Sequence, residues 1–145
     1  MFCILHITDL HRSQSDPLSN EELISALVSD REGFQSEDPP IAIPQAIVVS
    51  GDIIQGVGLG VPDAAKALVE QYDTAHAFLA ELTDRFLNGD RSKVVIVPGN
   101  HDIDWNVAKA AMTVVAEADY PHSLHQSLNE PNSPYRWDWK TRTLY

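Results

Sequence analysis

Cysteine is almost missing from this chain. Cys3 stands alone among 145 residues, which excludes an intrachain disulfide framework and fits a reducing compartment. Set inside the first apolar run, it reads as a small buried hydrophobe rather than a redox or metal-ligating group. Basic residues are scarce as well: 10 Lys and Arg face 21 Asp and Glu, a formal net charge of −11. Such a surface repels a phosphate backbone and argues against nucleic acid as a partner held by bulk electrostatics. No apolar run approaches the ~20 residues of a membrane-spanning helix, and the amino terminus carries no basic, then apolar, signal segment. The expectation is a cytoplasmic protein with no membrane partner. Repeats and low-complexity segments are also missing, and the length is that of one ordinary domain.

What is present alternates in type. Phe2–Ile7, Ala46–Val49 and Val94–Val97 are short apolar runs that read as strands, the last of them buried. Between them, Ser19 as N-cap and Glu22 as the closing residue of a capping box, with Leu18 and Leu23 as a staple, predict a helix running to about Ser29. Leu68, Tyr72, Ala75, Leu79, Leu82 and Phe86 recur at spacings of four and three, so a long helix is predicted from about Asp63 to Leu87, ended by Asn88-Gly89. A third helix is predicted from near Asp104, with Val107, Ala111, Val114, Val115 and Ala118 on one side. Strand and helix in alternation mean an α/β fold with parallel strands. His76 in the long helix reads as a structural or surface residue, and His6 in the first strand as a hydrogen-bonded core histidine.

Each apolar run ends in polar residues of metal-ligand type: Asp9 and His11, then Gly51-Asp52, then Gly99-Asn100-His101-Asp102. The carboxyl ends of strands are where open α/β sheets place their ligands. Gly56-Val57-Gly58-Leu59-Gly60 follows the second strand. It has neither the Lys-Ser/Thr of a P-loop nor the spacing of a dinucleotide fingerprint, so it reads as a flexible loop at the mouth of the site.

In their order, Asp-x-His, Gly-Asp and Gly-Asn-His-Asp, together with the lead-ins Ile4–Thr8 and Val97-Pro98, the three motifs make the chain similar to the calcineurin-like metallophosphoesterases. That resemblance implies a metallophosphoesterase-type sandwich, with central sheet strands flanked by helices. It implies hydrolysis of phosphomonoesters or phosphodiesters by direct attack of a metal-bound water, with two divalent ions of manganese, iron or zinc about 3.5–4 Å apart. By the same resemblance Asp52 bridges the ions, Asp9 and His11 hold the first, and Asn100 holds the second. His101 protonates the leaving alkoxide or stabilises the phosphoryl oxygens, with Asp102 fixing its tautomer. At an extended strand end Asp9 and His11, two apart, would point the same way. The implied partner is a phosphoester small molecule or nucleotide.

The family's later motifs, a lone histidine and then Gly-His-x-His, have no counterpart here. His122 and His125 lack the pattern and read as surface or interface residues. The expectation is therefore the amino-terminal part of such a domain over 1–119, then an irregular tail over 120–145 ending in an aromatic strand near Tyr135–Lys140. Apolar sheet surface would need cover from a second copy or a missing carboxyl-terminal half, and the second metal site would be weak. The alternative reading is a non-catalytic module of regulation or assembly that keeps the fold and part of the metal site. Intact His101 and Asp102 argue against it.

Overall fold

The computed structural model describes residues 2–145. It divides into two compact units, one reaching to Asn106 and one comprising Val107–Tyr145.

The first unit is a parallel three-stranded sheet with helices. β1 (Ile4–Thr8), β2 (Ala46–Ser50) and β3 (Val94–Val97) lie in that order. Leu5 is paired with Ile47 and Ile7 with Val49, while Ile47 and Val49 face Val94 and Ile96 across the other side. α1 (Asn20–Gly33) and α2 (Ala64–Leu87) are the connecting helices. They bury one face of the sheet: Ile47, Val49, Ile54, Phe78 and Leu82 form the centre of the core, with Leu5, Ile7 and Val94 packed against it.

α1 begins as its sequence predicts. The Ser19 side chain accepts from the Glu22 N–H at 3.1 Å, and the Glu22 carboxylate accepts from the Ser19 N–H at 2.8 Å. This holds the Glu22 carboxyl below its ordinary value. The helix continues past Ser29 to Gly33 because tertiary contacts add what local periodicity does not. Arg31 donates to the Arg85 carbonyl and its guanidinium lies 5.0 Å from the Phe86 ring centre. At the far end of α2, Asn88 and Gly89 both take positive φ, the conformation that stops a helix.

Three expectations need correction. β3 is an edge strand rather than a buried one, and Val95, Ile96 and Val97 are each about half exposed. His6 is hydrogen-bonded, its Nε2 lying 2.7 Å from Ser50 Oγ, but on the exposed side of the sheet. The third helix, α3 (Trp105–Ala111), spans only 7 residues. Beyond it come the β-branched Thr113, Val114 and Val115, poor helix formers in a row, and the Val115 N–H is taken by the Leu144 carbonyl at 2.9 Å.

In the second unit a short helix, α4 (Leu124–Leu128), is followed by an antiparallel pair, β4 (Trp137–Asp138) and β5 (Thr143–Leu144). The aromatic strand is only two residues long, because the Asp138 carboxylate accepts the N–H groups of Lys140 and Thr141 and turns the chain back. Trp137 stacks edge-on with Tyr120 and Trp139. No helix among the described residues is long and apolar enough to cross a membrane.

Candidate metal centre

Backbone lacing carries the strand ends into the site. Past β1 and β2 the two chains keep exchanging bonds: Asp9 N–H to Gly51 C=O at 3.3 Å, His11 N–H to Asp52 C=O at 2.8 Å, Arg12 N–H to Ile53 C=O at 2.9 Å. Gly51 N–H in turn reaches the Val97 carbonyl at 2.8 Å and ties in β3. A Cβ on Gly99 would lie 2.3 Å from both the nitrogen and Oδ1 of Asp52. Only glycine permits that approach, which explains the glycine of the third motif.

The lacing requires unusual backbone. Asp9, His11 and Asp52 have φ of 52°, 47° and 45°, a left-handed conformation that costs a non-glycine residue of order 1–3 kcal/mol. Asp9 and His11 are therefore not on an extended strand end, and alternation does not set their directions. The structure gathers His11, Asp52 and His101, whose ligand-type atoms all lie within 4.8 Å of one another. Asp9 is outside that group. It is exposed, and its carboxylate accepts from Thr8 Oγ1 at 2.5 Å. Asn100 is exposed at the end of β3, its carbonyl accepting from Trp105 Nε1 at 2.8 Å.

These residues fit a divalent cation. His11 Nδ1 is buried with no hydrogen-bond partner, a costly state for an imidazole nitrogen that nothing else uses. The group offers an imidazole, a carboxylate and a second imidazole, the donor mix that suits manganese, iron or zinc. Two ligands at about 2.1 Å from one ion stand at most about 4.2 Å apart, so the 4.8 Å group has to contract only slightly. The two rings, His11 and His101, already meet edge-on with centres 4.8 Å apart.

His101 is positioned at both ends. Its backbone N–H donates to Asp52 Oδ1 at 3.0 Å, and its ring Nδ1 lies 2.5 Å from the Gln55 carbonyl oxygen. The expected pairing of His101 with Asp102 is not what is built. Asp102 Oδ1 accepts the N–H groups of Ile53 and Ile54 at 2.8 and 3.0 Å, and Oδ2 accepts that of Gly99 at 2.7 Å. With its carboxylate bonded to three backbone amides, Asp102 clamps the loop after β3 onto the loop after β2. Beside His101 opens a cleft of about 320 Å³ lined by Gln55, Gly56, Val57, Gly58, Asn100 and Trp105.

Residues that carry no motif complete the arrangement. Arg12, 2% exposed, donates to Asn20, Asp16 and the Leu18 carbonyl, and so anchors the chain next to His11. Tyr72 donates its hydroxyl to the Asp102 carbonyl at 2.6 Å. Burial, and then the Asp102 charge, raise its phenol above the ordinary value. A signal for Arg12 was available, since Asp16 stands at i+4. Tyr72 was visible only as an apolar position of α2. In the second unit His125 is bonded through its carbonyl to Asn129. Among the described residues no acid or histidine group of metal-binding geometry other than His11, Asp52 and His101 occurs.

The profile of the calcineurin-like phosphoesterases matches residues 3–143, across both units. No curated protein and no solved structure gives a significant match. The chain belongs to the calcineurin-like phosphoesterase family, a family of metal-dependent hydrolases of phosphoesters.

Proposed function

We propose that this calcineurin-like phosphoesterase hydrolyses small phosphomonoesters or phosphodiesters, nucleotides among them, with His11 and Asp52 as the principal ligands of the first of two divalent ions. Asp52 is also the natural bridge to the second, with Asp9 and Asn100 as further ligands from their loops. Manganese, iron and zinc are the candidates. The observation that carries this reading is the convergence of His11, Asp52 and His101, together with a buried Nδ1 of His11 that has no partner.

The bound ions would supply Lewis acidity to the phosphoryl oxygens and acidify the attacking water. His101 does the proton work. With Nδ1 on the Gln55 carbonyl, Nε2 is the nitrogen left to hand a proton to the departing alkoxide as the bond from phosphorus to that oxygen breaks. Water oxygen takes the leaving group's place on phosphorus and releases its own proton to solvent. Asp52 fixes the main chain of His101 by accepting its backbone N–H, and the 320 Å³ cleft is of a size for a small leaving group rather than a polymer. The net charge of −11 points the same way, because a long polyanion would be repelled.

Replacing His101 by Ala should lower hydrolysis of an alkyl phosphate roughly 10²–10⁴-fold, with a smaller loss on a p-nitrophenyl ester whose leaving group needs no proton. Manganese affinity should be preserved. A variant that loses metal as well as activity would make His101 a ligand, a second reading favoured by its place inside the 4.8 Å group. No change in either quantity would identify a non-catalytic module.

A further inference from the structure

We infer that Gln71, in α2, is the positioning residue that fixes the tautomer of His101, acting through the Gly56 loop. The inference rests on the proposed role of His101. A carbonyl oxygen has no proton to give, so the 2.5 Å contact between His101 Nδ1 and Gln55 C=O requires Nδ1–H and leaves Nε2 as the variable nitrogen. That contact exists only if the Gln55 carbonyl is held in place, and Gln55 lies in a loop rich in glycine.

Gln71 holds the loop. Its Oε1 accepts the Gly56 N–H at 2.8 Å and its Nε2 donates to the Gly56 carbonyl at 3.3 Å, so one side-chain amide grips both backbone groups of one residue. The grip lies directly beside the ring: a Cβ on Gly56, where φ is +76°, would come within 2.9 Å of the His101 oxygen and 3.2 Å of its Nδ1. The next residue of α2, Tyr72, donates to the Asp102 carbonyl. Adjacent residues of one helix thus hold the loop after β2 and the loop after β3, and His101 sits between them. Held this way the Gly56 segment is no flexible flap but the wall that sets the ring.

The test begins with the unsubstituted, metal-free chain. Long-range ¹⁵N–¹H correlation of the His101 ring, at a pH where it is neutral, should show the Nδ1–H tautomer. An Nε2–H ring would overturn the inference whatever His101 does in hydrolysis. Gln71→Met, similar in length and unable to grip the loop, should convert the ring to a tautomer mixture and lower kcat roughly ten- to hundredfold with KM nearly unchanged. In the His101→Ala background the same substitution should have no further effect on kcat. An unchanged tautomer in Gln71→Met, or an equal loss in both backgrounds, would make Gln71 merely structural. If His101→Ala itself leaves hydrolysis unchanged, the role of His101 fails, and the spectrum alone then decides the claim about Gln71.

Discussion

The start of α1 and the ends of β1 and β2 follow opposite rules. At the start of α1 every residue is where its own chemistry favours it: Ser19 and Glu22 satisfy each other's amides, and local sequence is enough. At the strand ends, Asp9, His11 and Asp52 sit in a backbone region that none of them favours, and they stay there because bonds from neighbouring loops hold them. Stability is gained at the helix start and given up at the strand ends. The helix start contributes to the fold. The strand ends draw on it to place an imidazole and a carboxylate side by side.

Gly99 gives the sharpest way to break the strand-end arrangement. Gly99→Ala puts a methyl 2.3 Å from Asp52, so manganese binding should vanish and stability should fall by more than about 4 kcal/mol, the range of severe core strain. Calorimetry and a melt on the same sample would show it. Asp102→Ala comes next. Leaving three amides without their acceptor should cost about 3 kcal/mol at roughly 1 kcal/mol each, read by urea titration. A loss of activity with unchanged stability would instead restore Asp102 as a partner of the catalytic ring.

A smaller effect separates strain from chemistry. His11→Gly should be more stable than His11→Ala by about 1 kcal/mol, because glycine adopts the φ of 47° freely, while both lose metal affinity. Equal stability would mean that the backbone there is not strained.

At the helix, Ser19→Ala should cost about 1 kcal/mol and leave metal affinity untouched. The cap is also pH-dependent. Because Glu22 titrates below its ordinary 4.5 when folded, its contribution is complete above that value and is lost as the pH falls through the lowered one. The gap between melts of the unsubstituted chain and Ser19→Ala should therefore narrow in acid, where the bond from Ser19 Oγ to the Glu22 carboxylate is lost, without closing, because Ser19 Oγ still accepts the Glu22 N–H.

The same contrast explains what could be read in the sequence. β2, β3 and the start of α1 follow from local pattern, and the family follows from three motifs at strand ends. What pattern could not supply was anything that depends on two distant segments meeting. Asp102 looked like the partner of the adjacent His101, yet its carboxylate is claimed by amides 48 and 49 residues away. Val94–Val97 looked buried because four apolar residues in a row suit a central strand equally well, and its place at the sheet edge is a fact of topology. Gln71 offered no signal, since a glutamine on a helix is ordinary until a glycine loop is found beside it.

The divalent cation proposed for the strand ends would be held through His11 and Asp52. Calorimetric titration of the chain with manganese, repeated on His11→Ala, Asp52→Asn and Ser19→Ala, tests it most directly. Saturable binding is expected, abolished by both site substitutions and preserved in Ser19→Ala. No saturable binding by the unsubstituted chain, or binding indifferent to His11 and Asp52, would contradict it.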